Sequence, residues 1–210
     1  DFNFIFTGSK ELDITNFDGV KEFVRLKEIN TIINCAAYTS VDKAEKEEKI
    51  AEEINHLAVA NMAQIAKDND ISLIHISTDY VFDGLKNSPY TEFDKTNPQT
   101  VYGKTKLKGE MAIKSIGPKN SIIIRTSWLF SRFGNNFVNR VIELSKTNKQ
   151  ISVVSNQIGS PTSARDLASF IIKILPQINN TGVELFHFSN KGKCSWYEFA
   201  KTIFKINNIK

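Results

Sequence analysis

Cysteine, histidine, long apolar runs and a dominant charge are all scarce in this chain of 210 residues, and each scarcity removes a class of protein. The two cysteines, Cys35 and Cys194, show neither metal-ligand spacing nor the density of a disulfide scaffold. Apolar runs last only a few residues, short of the roughly twenty that a membrane-spanning helix needs. No charged-then-apolar leader opens the chain, so secretion is not expected and a cytoplasmic setting is. His56, His75 and His187 are dispersed and form no ligand cluster, so no metal site is expected. His75 falls inside an apolar run and reads as a structural histidine. The 27 basic and 23 acidic residues leave a net charge of only +4. The lysines are scattered and no basic stripe carries interleaved aromatics, so neither nucleic acid nor membrane is an expected partner.

What remains suits a folded α/β chain. With 41% apolar and 10% aromatic residues it can bury a sizeable core. Three β-branched runs, 31–35, 72–77 and 121–125, do not alternate in polarity, which predicts strands covered on both faces. Residues 3–7, 151–154 and 183–188 read as further strands. Helical spacing of apolar residues marks 18–29, 48–67, 102–115, 136–146, 163–175 and 196–206. Alternating strands and helices with short links predict a doubly wound parallel sheet with a smaller lobe. The expected division is 1–130 for the sheet domain and 131–210 for a mixed part with the lobe and the late sheet elements.

Ligands of open α/β sheets bind at the carboxyl ends of strands. Three such ends carry small or hydroxylic residues: Asn34-Cys-Ala-Ala-Tyr-Thr39, Ser77-Thr-Asp-Tyr-Val-Phe-Asp-Gly84 and Arg125-Thr-Ser-Trp128. Tyr102-Gly-Lys-Thr-Lys106 then sets a phenol and an ammonium one helical turn apart. An ammonium beside a phenol favours the phenolate, so Lys106 is expected to lower the pKa of Tyr102. The spacing alone is weak, because Tyr197 and Lys201 repeat it. Tyr197 has no hydroxyl-rich strand end before it and reads as a core-facing aromatic. Asp42 and Glu45 read as a solvated helix start. The Gln157–Thr162 loop with Arg165 is open between a diphosphate contact and a turn followed by a helix salt bridge.

Taken together these stretches resemble the extended short-chain dehydrogenase/reductases, most closely the dTDP-4-dehydrorhamnose reductase family. Asn97-Pro98, Gly134-Asn-Asn-Phe137 and Asn156-Gln-Ile-Gly-Ser-Pro-Thr162 add to the match, and all occur in the family's order. The resemblance implies a Rossmann-type fold, NADPH or NADH as cofactor, and a dTDP-deoxysugar as substrate. The implied reaction reduces the C4 ketone of dTDP-4-dehydro-L-rhamnose to dTDP-L-rhamnose. Tyr102 would be the general acid, Lys106 would hold the nicotinamide ribose, and Thr78 would hydrogen-bond the substrate carbonyl. Asp79 would contact the sugar and Trp128 would wall its pocket. Ala37, Tyr38 and Thr39 would line the cofactor, with Asp13 and Ile14 against the adenine. A homodimer is left open.

In one respect the chain departs from that pattern. No G-x-x-G-x-x-G occurs, so the fold's first βα unit, whose helix N-terminus takes the cofactor pyrophosphate, is expected to be missing from these residues, and so is a final segment. Nicotinamide cofactor binding by these residues alone is therefore expected to be poor. Two other readings stay open. One is a nucleotide-sugar epimerase or 4,6-dehydratase, although a dehydratase would carry Glu where Tyr80 follows Asp79. The other is a non-catalytic subunit resembling the regulatory subunit of methionine adenosyltransferase.

Overall fold

The computed structural model describes residues 2–209. Along the chain run α1 (Phe17–Leu26), β1 (Thr31–Asn34), α2 (Val41–Ala44), α3 (Glu48–Glu52), a π-helical turn (Glu53–Leu57) and α4 (Ala58–Asp68). Then come β2 (Ser72–Thr78), a 3₁₀ turn (Asp79–Val81), α5 (Val101–Ile116) and β3 (Ser121–Thr126). The remainder holds β4 (Leu129–Phe130), α6 (Phe137–Ser145), β5 (Ile158–Gly159), β6 (Thr162–Ser163), α7 (Ala164–Ile174), β7 (Val183–His187), β8 (Cys194–Ser195) and α8 (Trp196–Ile206). Among the described residues, no helix is long and apolar enough to cross a membrane.

Helices begin where a polar side chain can satisfy an otherwise unpaired backbone N–H. Asn16 accepts from the Gly19 N–H at 3.1 Å to start α1, and Thr100 accepts from Gly103 at 3.0 Å to start α5. α5 stops at Gly117, whose φ of +65° is a left-handed conformation that a glycine adopts without a Cβ penalty. Ser195 and Glu198 form a reciprocal capping box at α8.

Two compact units emerge. The first takes the chain up to Arg125 together with Ile178–Phe186; the second takes Thr126–Gln177 and the chain from His187 onward. The first holds a parallel central sheet ordered β1-β2-β3-β7. β1 and β2 pair in parallel with Asn34 beside His75, and β3 is buried at every residue. Val20 and Val24 of α1, Val59, Met62 and Ile65 of α4, Leu73, Ile113 and Ile123 build one apolar cluster. In the second unit Val141 of α6 packs with Ala200 and Ile203 of α8.

Two expected strands do not form. Residues 3–7 and 151–154 have the composition of strands but make no ladder among the described residues. Composition is not enough: a strand exists only when a neighbour takes its backbone hydrogen bonds. Phe6 is 87% exposed.

Candidate active site

β2 ends in Thr78, an extended residue whose hydroxyl accepts from the Tyr80 N–H at 3.2 Å and donates to Asp79 Oδ1 at 3.1 Å. α5 brings Tyr102 to this strand end, against Tyr80 two residues past Thr78. Close approach depends on Gly103, since a β-carbon there would overlap the carbonyl oxygen of Tyr80. The rings of Tyr80 and Tyr102 meet edge-on, 5.4 Å between centroids. Glu45 is exposed, as its reading as a solvated residue requires, yet it also accepts from the Val101 N–H at 2.8 Å and so tethers the start of α5.

Lys106 lies one turn after Tyr102, and its Nζ is engaged by partners on β2. Nζ donates to the Ile76 carbonyl at 2.7 Å and meets His75 Nε2 at 3.1 Å, with the side chain only 1% exposed. Burial lowers the pKa of Lys106 to about 8, against the opposing pull of the Glu110 carboxylate. The expected lowering of Tyr102 by Lys106 is therefore corrected. Burial pushes Tyr102 up to about 12; the Thr78 side chain acts against this, and the charge of Asp79 adds to it. Asp79 is itself raised to about 6 by burial.

Beneath this pair lies a polar network that spacing alone does not announce. Arg125 Nε and Nη2 donate to Glu110 Oε1 and Oε2 at 2.9 and 2.6 Å, and Ser77 donates to Oε1 at 2.5 Å. A charge among buried helix positions was the available signal: Glu110 falls four residues after Lys106, on its face. Asn55 was missed too. It is fully buried in the π-helical turn, where its Oδ1 accepts from Tyr38 N–H at 2.9 Å. Its Nδ2 donates to the Tyr38 carbonyl and to Thr105 Oγ1, each at 3.1 Å. An asparagine interrupting the apolar face of 48–67, and a π turn of the kind often found at functional positions, were its signals.

The remaining expected residues are placed as follows. Ala37, Tyr38 and Thr39 follow β1, pinned through Asn55, and the Tyr38 hydroxyl donates to Glu47. Asp13 is exposed and accepts from the Thr15 N–H and hydroxyl at 2.9 and 2.8 Å, while Ile14 packs against the apolar cluster. Trp128 belongs to the second unit. There it has a φ of +48° and stacks on Trp196 at 3.5 Å, with Gly159 so close that a β-carbon would overlap its ring. Arg165 is exposed on α7. Tyr197, expected to face the core, is 50% exposed, because α8 buries Ala200 and Ile203 instead. His75 is buried, as its reading as a structural histidine requires.

A strand end bearing a hydroxyl, a helix-borne tyrosine packed at that end, a lysine one turn on and a parallel sheet define an extended short-chain dehydrogenase/reductase. Within that class the chain belongs to the family described as the RmlD substrate binding domain, whose model matches residues 1–210. It is 44% identical over 197 residues to a dTDP-4-dehydrorhamnose reductase of Aggregatibacter actinomycetemcomitans, covering 92% of this chain and 67% of the relative. Among solved structures it is similar to the dTDP-4-dehydrorhamnose reductase of Bacillus anthracis in complex with NADP, with TM-score 0.92 and 43% identity. That match covers 97% of this chain and 72% of the other. A dTDP-4-dehydrorhamnose reductase of Clostridium acetobutylicum gives TM-score 0.91 and 46% identity, over 98% and 71% of the two chains.

Proposed function

We propose that this chain carries the reductase site for the C4 ketone of dTDP-4-dehydro-L-rhamnose, yielding dTDP-L-rhamnose, with NADPH or NADH as reductant. The observation that carries the reading is the packing of Tyr102 on α5 against the carboxyl end of β2, its ring 5.4 Å from that of Tyr80, two residues past Thr78. The similar reductase bound to NADP supports the cofactor class. When bound, that cofactor supplies the hydride.

The donor set fits a ribose diol. Lys106 Nζ spends two directions on Ile76 and His75, which leaves one N–H for a hydroxyl. The 37–39 backbone, held by Asn55, offers a fixed ledge beside β1, with Asp13 and Ile14 as the adenine-side residues. Thr78 orients the ketone oxygen and Asp79 contacts the sugar.

Tyr102 protonates the C4 oxygen. In the reductive direction a raised pKa serves this role: the phenol stays protonated at neutral pH, and the forming alkoxide is a far stronger base than a phenolate. Asp79, by its charge, helps keep that proton in place. Nucleotide-sugar-dependent loss of NADPH absorbance tests the reading, and net consumption separates a reductase from an epimerase or dehydratase. Tyr102→Phe should lose about 10²- to 10⁴-fold in kcat with KM nearly unchanged. Full turnover in that variant would refute the assignment.

A further inference from the structure

His75 is fully buried between two partners, and their chemistry fixes where its proton lies. Its cross-strand neighbour Asn34 presents Nδ2 to His75 Nδ1 at 3.1 Å. The amide cannot be turned round, because its other atom accepts the Ala36 backbone N–H at 3.0 Å and must be the oxygen. An NH₂ group therefore faces Nδ1, and Nδ1 must be the bare, accepting nitrogen. A neutral imidazole then carries its proton on Nε2, the atom 3.1 Å from Lys106 Nζ. An N–H needs a lone pair opposite it. An ammonium has none; a neutral amine has one.

We infer that Asn34 locks His75 in its Nε2–H tautomer, and that His75 donates to the neutral-amine form of Lys106 and so opposes its protonation. Each contact along Asn34–His75–Lys106–Ile76 then pairs a donor with an acceptor: the amide donates to Nδ1, Nε2–H to the amine, and one amine N–H to the Ile76 carbonyl. Forming the ammonium breaks the His75 bond, so His75 holds the Lys106 titration down and a new partner for the ammonium would raise it. The other groups acting on Lys106 are Cys35 just past β1 and Glu110 on α5. Glu110 is already engaged by Arg125 of β3 and by Ser77 of β2. Burial keeps His75 neutral, its pKa well below the usual histidine range. His75 is thus a positioning residue, acting through Lys106.

The inference rests on the reductase reading only in treating Lys106 as a functional group, and its test needs neither substrate nor turnover. Nitrogen NMR of the whole chain, with His75 assigned by its disappearance in His75→Gln, reads which ring nitrogen is protonated. The expected result at neutral pH is a bare Nδ1 and a protonated Nε2. In Asn34→Asp an accepting oxygen replaces the NH₂, so the proton should move to Nδ1 and leave Nε2 bare. In His75→Gln the amide oxygen can turn to the lysine, and the Lys106 titration should rise by about one pH unit or more. A protonated Nδ1 in the unaltered chain overturns the inference, and so does a Lys106 titration unmoved in a folded His75→Gln.

Discussion

Glu110 on α5 grips Arg125 at the end of β3 through two parallel hydrogen bonds of 2.9 and 2.6 Å, with both side chains almost wholly buried. This fork joins the helix that carries Tyr102 and Lys106 to the sheet beneath it. Removing one partner strands a buried charge. Glu110→Ala should cost about 3–5 kcal/mol of stability in urea unfolding, whereas replacing both residues by apolar ones of similar volume should cost much less. A Glu110→Ala chain as stable as the parent would show that the fork does not hold the helix.

Gly103→Ala tests the close approach of α5 to the end of β2. The added methyl group meets the Tyr80 carbonyl oxygen, a backbone atom that cannot swing aside. Stability should fall by about 1–3 kcal/mol, and turnover should fall as Tyr102 is displaced from the end of β2. Thermal unfolding and steady-state kinetics on the same variant separate the two effects.

Lys106 gives the fold a pH dependence of definite sign. Its pKa is about 8 folded against 10.5 unperturbed, so between those values the unfolded chain binds more protons. Stability from this group therefore rises as pH goes from 8 toward 10.5, by on the order of 3 kcal/mol in total. Lys106→Met should flatten that part of the unfolding free-energy profile. An unchanged slope would show that the lysine is not desolvated.

Asp79 acts with the opposite sign. Its pKa is raised from 3.8 to about 6, so the folded chain holds the extra proton and stability falls as pH rises through that window. Asp79→Asn should remove this fall. It should also lower the pH at which Tyr102 ionises, which ultraviolet titration of the phenol reads, because a neighbouring negative charge is gone.

Asn55 makes three hydrogen bonds from a fully buried position, two of them to the Tyr38 backbone. Asn55→Ala should cost about 1–3 kcal/mol by leaving buried backbone groups unpaired, and should raise the cofactor KM more than it lowers kcat. Equal KM values would detach the 37–39 ledge from cofactor binding.

Many of the elements could be read from local pattern. The runs at 31–35, 72–77 and 121–125 became β1, β2 and β3, and α8 spans the expected 196–206, because β-branched runs and capped amphipathic stretches carry their own preferences. The misplaced strands at 3–7 and 151–154 share that composition but pair with no strand among the described residues, which no local window reports. Glu110 and Asn55 escaped because a polar residue on an apolar helix face reads as an exception until its partner is known.

By itself the sequence determined that Tyr102 and Lys106 share one helix face and that Thr78 closes a buried strand, since helical pitch and β-branched composition act over a few residues. Tertiary structure alone decided what the lysine touches. His75 and Ile76 lie 31 and 30 residues away in the chain, so their contact with Nζ depends on how α5 seats on β2. Burial by that packing, not spacing, sets the direction in which both the phenol and the amine titrate.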